Sequence, residues 1–242
     1  MLENEFTAKG FLVWGICALY FLYEFFLRTV IGTYQHMIMS DFSLTSFQFS
    51  LLSSTLFLII YGVMQVPVGI IVDKYGLKKS LLIGLLSCVL SVTMFAFSYS
   101  YALAIISRFL MGFGASFSFI CVLVAVHNWM PHKYSAIFIG LSQFIGTMGP
   151  ILAAGPLESL YIKTHLHWRS LFIYLAVFGI FLMVCTYFFV ENHQQKTGKY
   201  VTLYKAQPII ISLKRLFLRL GPWYIALFSA NIYFAIEYLS EN

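Results

Sequence analysis

Charged side chains are scarce in this sequence. Asp, Glu, Lys and Arg make up 10% of its 242 residues, whereas hydrophobic residues make up 60%. A water-soluble domain has about 25% charged and roughly 45–50% apolar residues, so the composition excludes such a domain, and it also excludes a disordered chain. The sequence therefore predicts a polytopic integral membrane protein.

Cysteine is also rare, and its distribution excludes further classes. The four cysteines stand singly inside apolar runs, which gives neither a disulfide framework nor metal-ligand spacing. No phosphate-cradling Gly-x-x-x-x-Gly-Lys-Ser/Thr loop occurs, so we do not expect ATP to drive this chain. We expect no cofactor, no metal and no catalytic residue. The net charge of +6 is distributed between the apolar runs rather than over one basic face, which argues against a nucleic-acid partner.

Long apolar runs are abundant. A helix needs about 20 residues to cross the hydrocarbon core, and the sequence predicts six complete spans at 11–37, 47–72, 80–98, 101–130, 136–157 and 170–190. A seventh run begins near Trp223. We therefore expect a six-helix bundle over 1–190, a cytoplasmic linker over 191–222 and the start of a second-half helix over 223–242. Within the linker, the mixture of apolar and basic residues at 209–220 predicts either an amphipathic helix on the inner leaflet or a short helix packed under the bundle.

The basic residues predict the orientation of these spans. Eleven of the fifteen Lys and Arg residues lie in the amino terminus, in the loops after spans two and four, and in the segment after span six. Only Lys163 and Arg169 lie on the opposite side. Because positively charged loops stay cytoplasmic, we expect a cytoplasmic amino terminus in a multi-pass protein of the plasma (inner) membrane.

A motif lies between spans two and three, where the chain reads GIIVDKYGLKK. It resembles the signature Gly-x-x-x-Asp-Arg/Lys-x-Gly-x-Arg/Lys-Arg/Lys of the major facilitator superfamily, with every defining position filled. Glycine at the first position is expected to let another helix approach closely, aspartate to place a charge at a helix end, and the second glycine to permit a tight turn. The defining residues are Gly69, Asp73, Lys74, Gly76, Lys78 and Lys79.

Two weaker motifs agree with this resemblance. Arg108, Gly112 and Gly114 in span four are similar to the Arg-x-x-x-Gly-x-Gly element of the same superfamily, and Gly149-Pro150 in span five resembles a glycine-proline pattern of some proton-driven members. The resemblance implies an all-α transporter with two six-helix halves, of which this chain contains the first and the start of a seventh helix. It implies a small solute and the lipid bilayer as partners, with a coupling proton or a counter-anion as a further candidate.

Of the Asp, Glu, Lys and Arg residues, three lie inside predicted spans, namely Glu24, Arg28 and Arg108, and burial of charge there is costly and usually functional. Two arginines in the outer halves of their spans would bind a carboxylate or phosphate. Alternatively, Glu24 and Arg28, one helical turn apart, form a structural pair. The position of Arg28 and the His-Asn-Trp run ending span four are similar to organophosphate:phosphate antiporters and related organic-anion carriers. Further polar candidates for the same cavity are Tyr20, Tyr61, Gln65, His127, Asn128 and Gln143.

These observations predict a secondary active transporter that moves a small anionic organic solute by alternating access. A membrane enzyme would need His, Asp or Cys clustered near one interface, and the sequence offers only scattered single residues, so we do not expect an enzyme. A truncated or non-transporting membrane protein stays open as the alternative. It would be receptor-like, or a half transporter that depends on a partner chain.

Overall fold

The computed structural model describes residues 6–157, 159, 163, 167–191, 218, 221, 224, 227 and 228. These residues contain helices and connecting turns and no strand. The chain divides into two compact units, Met1–His193 and Gln194–Asn242. The five described positions of the second unit are helical. Apart from these positions and Glu191, the predicted linker and second-half helix lie outside the described residues.

Within its described residues, the first unit contains seven delimited α-helices and two short turns of other helical type, and Pro156, Leu157, Ser159 and Lys163 are also helical. Threonine and serine side chains cap several of the helix starts; Thr7, for example, accepts a hydrogen bond from the Gly10 N–H at 3.0 Å. The elements are α1 (Ala8–Thr33), α2 (Gln35–Phe42), α3 (Ser46–Ser50), a π-helical turn (Leu51–Thr55), α4 (Leu56–Ala96), α5 (Tyr101–Trp129), a 3₁₀ turn (His132–Tyr134), α6 (Ser135–Ala154) and α7 (Trp168–Phe189).

The helix α4 folds back on itself at Gly76. This glycine has φ 78° and ψ 172°, a backbone conformation that is essentially confined to glycine. A Cβ added at Gly112 of α5 would lie 3.0 Å from Phe57 O, and one added at Gly114 would lie 2.6 Å from Cys88 Sγ. Phe57 and Cys88 lie on opposite sides of Gly76 and yet reach neighbouring positions of α5. The two parts of α4 must therefore run in opposite directions.

Long apolar helices account for all six predicted spans. Five helical stretches of the described residues are long and apolar enough to cross a membrane: Ala8–Thr33, Ser46–Ala96, Tyr101–Trp129, His132–Ala154 and Trp168–Phe189. The second stretch has 51 residues, about 75 Å if straight, which is more than twice the hydrocarbon thickness. Its reversal at Gly76 makes it two crossings, so the predicted six-helix arrangement is confirmed.

Helix α1 lies at the centre of the bundle and packs closely against its neighbours. A Cβ added at Gly149 of α6 would lie 2.7 Å from Leu22 O of α1. The Tyr23 hydroxyl donates to Leu175 O of α7 at 2.9 Å. Small residues and hydrogen bonds between helices are the contacts expected where apolar burial alone cannot hold helices together in lipid.

Polar contacts tie both ends of the bundle. We call the end near Asp41 and Trp168 the outer end, because the basic residues predict that it faces away from the cytoplasm. There Asp41 Oδ2 accepts from Trp168 Nε1 at 2.9 Å and lies 3.7 Å from Arg169 Nη2. At the opposite, inner end, Lys9 Nζ and Glu191 Oε1 form an ion pair at 2.7 Å.

Candidate functional site

Glu24 and Arg28 project from the outer half of α1, but they do not form a close pair. Glu24 is 1% exposed, and its Oε2 lies 3.5 Å from the Ser118 hydroxyl of α5, which donates to it. Arg28 is half-buried, and its guanidinium lies 5.8 Å from the centre of the Phe25 ring. Among the ion pairs of the described residues, none within 4.0 Å joins Glu24 to Arg28. The carboxylate therefore does not neutralise Arg28 by direct contact.

Arg108 is completely buried, and each of its five N–H groups has an acceptor. Its guanidinium also lies 4.6 Å from the centre of the Phe57 ring. The acceptors are Leu52 O for Nε (3.0 Å), Leu27 O and Met111 Sδ for Nη1 (3.0 Å each), and Arg28 O (3.2 Å) and Ser53 O for Nη2.

This placement differs from the sequence expectation, in which Arg108 presents its guanidinium to a solute. Four of its five acceptors are backbone carbonyls of α1 and the π-helical turn, so the planar group is turned into the helix interface. A solute would have to displace these bonds to reach it. The sequence gives the depth of Arg108 along its span but not the direction of its side chain.

The aromatic and amide candidates fall into two groups. Tyr20 is buried, and its hydroxyl donates to Gly114 O at 2.6 Å, so it belongs to the contact between α1 and α5. Tyr61 and Gln65 are half-buried on α4, where Tyr61 stacks on Phe57 with ring centres 6.3 Å apart. Gln65 Nε2 is buried without a hydrogen-bond partner within the described structure. Buried donors are normally paired, so Gln65 is a good candidate for contact with a polar solute.

The structure separates the remaining candidates from the two arginines. His127 is exposed and Asn128 is half-buried, both at the inner end of α5, where the His127 ring lies 5.0 Å from that of His132. Arg108 is nineteen residues earlier on the same helix, about 28 Å away along its axis. Gln143 is exposed on α6. The predicted set is therefore spread along the bundle and does not form one cluster.

The motif between the second and third crossings lies at the inner end. Asp73, Lys74 and Lys79 are exposed, whereas Lys78 donates to Tyr187 O of α7 at 2.6 Å. A Cβ added at Gly69 would meet no atom of the described residues within 4 Å. The close helix approach expected at this glycine is therefore not made by any described helix. No described ion pair includes Asp73.

Two features had no sequence-based prediction. The π-helical turn Leu51–Thr55 has no residue signature and is visible only in the hydrogen bonds. The contact of Asp41 with Trp168 and Arg169 joins residues 127 positions apart; its only signal was the presence of charged residues beside the ends of spans. Among the described residues, no group of three His, Cys, Asp or Glu is arranged to hold a metal ion.

Comparisons with known proteins agree on one family. Residues 16–241 match the family model described as Major Facilitator Superfamily. The hexuronate transporter of Bacillus subtilis is 25% identical over 219 residues, covering 88% of this chain and 49% of that protein. The probable sulfoacetate transporter SauU of Cupriavidus necator is 25% identical over 208 residues, covering 86% of this chain and 47% of that protein. The chain thus spans about half the length of the curated relatives it matches.

A solved structure shares the fold. A bacterial homologue of the human lysosomal transporter Spinster, in an inward-facing and unoccupied conformation, superposes with a TM-score of 0.68 at 17% identity. The match covers 78% of this chain and 44% of that one. Together with the apolar helices, these similarities identify an integral, multi-pass membrane protein.

Proposed function

Because the chain belongs to the major facilitator superfamily, we propose that it is the amino-terminal part of a secondary active transporter for a small organic anion. Transport proceeds by alternating access, with a proton or a counter-anion as the coupling ion. The named substrates of the two relatives, a hexuronate and sulfoacetate, are both organic acids. Their chemistry supports the choice of an anion over a neutral solute.

The proposal rests on the partial burial of the Arg28 side chain and on its lack of an ion-pair partner among the described residues. Its guanidinium lies inside a span, is half-buried and makes no ion pair within 4.0 Å in the described part of the chain. A charged group at this depth is costly unless it meets a partner. A solute carboxylate fits the planar guanidinium with two parallel hydrogen bonds. We assign Arg28 as the anion contact.

Other predicted residues complete the proposed site. Gln65, with its unpartnered Nε2, offers a hydrogen bond to a solute hydroxyl. Glu24 lies on α1 with Arg28, and Tyr61 lies on α4 with Gln65. Gln143 is exposed on α6. His127 and Asn128 are assigned to the inner end of the route.

An uptake experiment tests the substrate class. The complete gene product is expressed in bacteria that lack hexuronate uptake, and accumulation of labelled D-galacturonate and sulfoacetate is compared with that of neutral D-galactose. Accumulation of an acid but not of galactose supports the proposal. Accumulation of galactose alone contradicts the anion preference, and binding without accumulation favours the non-transporting alternative.

The orientation is proposed from the basic residues. Six Lys and Arg residues follow the sixth span, so this segment is placed in the cytoplasm of a plasma (inner) membrane protein. A cysteine introduced at Lys199 should resist a membrane-impermeant maleimide added to intact cells and react after the cells are opened. Labelling in intact cells would reverse the proposed topology.

A further inference from the structure

The π-helical turn Leu51–Thr55 interrupts the regular α-helical hydrogen-bond pattern between α3 and α4. The N–H of Leu56 bonds back to Leu51 O, five residues earlier, and the Thr55 hydroxyl donates to Ser50 O at 3.2 Å. When the register returns from five residues to four, one carbonyl at the junction is passed over. Turns of this type are rare and frequently occur at functional sites. A hydrogen-bond donor from outside the helix is therefore needed to satisfy the unused carbonyl.

Arg108 provides that compensation from another helix. Its Nε donates to Leu52 O at 3.0 Å and its Nη2 donates to Ser53 O, both within the turn. The same guanidinium donates to Leu27 O at 3.0 Å and to Arg28 O at 3.2 Å on α1. One buried group thus joins the turn, α1 and α5. A planar group with five donors is suited to this arrangement, whereas an ammonium is not.

We propose that Arg108 is a positioning residue: it holds the π-helical turn open and fixes the backbone from which the Arg28 side chain projects. Without the guanidinium, the turn tends to return to α-helical register, which rotates α3 relative to α4 by about 100°. The main chain at Arg28 then loses its anchor. The effect on solute binding rests on the proposed function, in which Arg28 contacts the anion. The effect on the turn does not.

Hydrogen exchange tests the structural half of the proposal without any solute. Deuterium uptake by peptides covering residues 46–57 is measured by mass spectrometry on the purified protein in nanodiscs, for wild type, Arg108→Lys and Arg108→Gln. Ser107→Ala is the matched control, because within the described residues the Ser107 hydroxyl bonds only to Ala104 O of its own helix, at 2.7 Å. Both Arg108 variants should exchange at least about tenfold faster in this segment, as expected for the loss of charge-assisted hydrogen bonds. Unchanged exchange in both would overturn the proposal.

A milder variant keeps this test decisive if the Arg108 variants do not fold. Met111→Leu conserves volume and removes the sulfur that lies 3.0 Å from Arg108 Nη1. It should raise exchange of residues 46–57 by a smaller factor, about two- to threefold, in keeping with a weak acceptor. Failure of Met111→Leu to change exchange, with the Arg108 variants unfolded, would count against the proposal.

A double-mutant cycle tests whether Arg108 acts through Arg28. Equilibrium binding of D-galacturonate is measured for Arg28→Lys, Arg108→Lys and the double variant. If Arg108 only positions Arg28, the double variant should bind no more weakly than Arg28→Lys, because residues that act through one another are not additive. Arg28→Lys alone should leave exchange of residues 46–57 unchanged. Additive losses would mean that Arg108 acts independently of Arg28, and the positioning role would be wrong.

The two halves of the test fail separately. If the wild type binds neither D-galacturonate nor sulfoacetate, the proposed anion is wrong, while the exchange result still decides whether Arg108 holds the turn. If binding is lost in Arg108→Lys without faster exchange, Arg108 contacts the solute directly, which overturns the positioning role and leaves the proposed function intact.

Discussion

The guanidinium of Arg108 donates a hydrogen bond to the backbone carbonyl of Arg28, with 3.2 Å between Nη2 and O. The two arginines are therefore linked from side chain to main chain, and they do not stand side by side as equal ligands. This link leaves the Arg28 side chain available, while all the donors of Arg108 are used. We propose a division of labour, in which Arg28 contacts the solute and Arg108 holds the backbone that carries Arg28.

The reversal at Gly76 should depend on glycine. Its φ of 78° and ψ of 172° are accessible to almost no other residue, so Gly76→Ala should destabilise the protein by about 1–3 kcal/mol. Gly69→Ala is the matched control in the same motif, since a Cβ there meets no atom of the described part of the chain within 4 Å, and it should be neutral or stabilising by about 0.5–1 kcal/mol. Thermal unfolding in detergent measures both. Equal stability of the two variants would contradict the role given to Gly76.

The contact at the outer end should depend more on the acceptor than on the charge of Asp41. Asp41→Ala removes the partner of Trp168 Nε1, 2.9 Å away, and should cost about 1–3 kcal/mol of stability. Asp41→Asn should cost less, because an amide oxygen can still accept from the indole, and only the charge attraction to Arg169 Nη2 at 3.7 Å and to His167 Nε2 at 3.9 Å is lost. Comparison of the two unfolding temperatures measures the difference. If Asn is as harmful as Ala, the charge dominates instead.

Asp73 should affect the transport cycle rather than solute binding. It is exposed at the inner end of the bundle, away from the arginines, and such transporters bind their solute near the midplane. Asp73→Asn should therefore slow uptake while the affinity for the solute stays within about twofold of wild type. Uptake and equilibrium binding are measured on the same preparation. A loss of binding as large as the loss of uptake would place Asp73 in the binding site.

Sequence predicted the crossings well because their cause is local. Length and apolar character define each span, and glycine at position 76 is required by the backbone at that one residue. The π-helical turn was not predictable, because the residues Leu51–Thr55 carry no pattern that distinguishes them from an ordinary helix.

The direction in which a side chain points was the second feature that the sequence could not predict. Position along a span fixed the depth of Arg108, but its acceptors come from two distant segments and only the folded chain brings them together. The separation of His127 from Arg108 could have been foreseen, since nineteen residues of one helix span about 28 Å.

The most direct test of the account is equilibrium binding to the purified gene product of labelled D-galacturonate, with neutral D-galactose as the matched ligand. The wild type should bind the acid and not the neutral sugar. Arg28→Gln should weaken binding of the acid by on the order of 2–5 kcal/mol, at least about thirtyfold, because a charge-assisted contact is lost. Arg28→Lys should recover part of the lost affinity. Thr29→Ala should bind normally, because it removes a hydroxyl that donates to Phe25 O of its own helix. Equal binding of acid and sugar, or full binding by Arg28→Gln, would contradict recognition of an anion by Arg28.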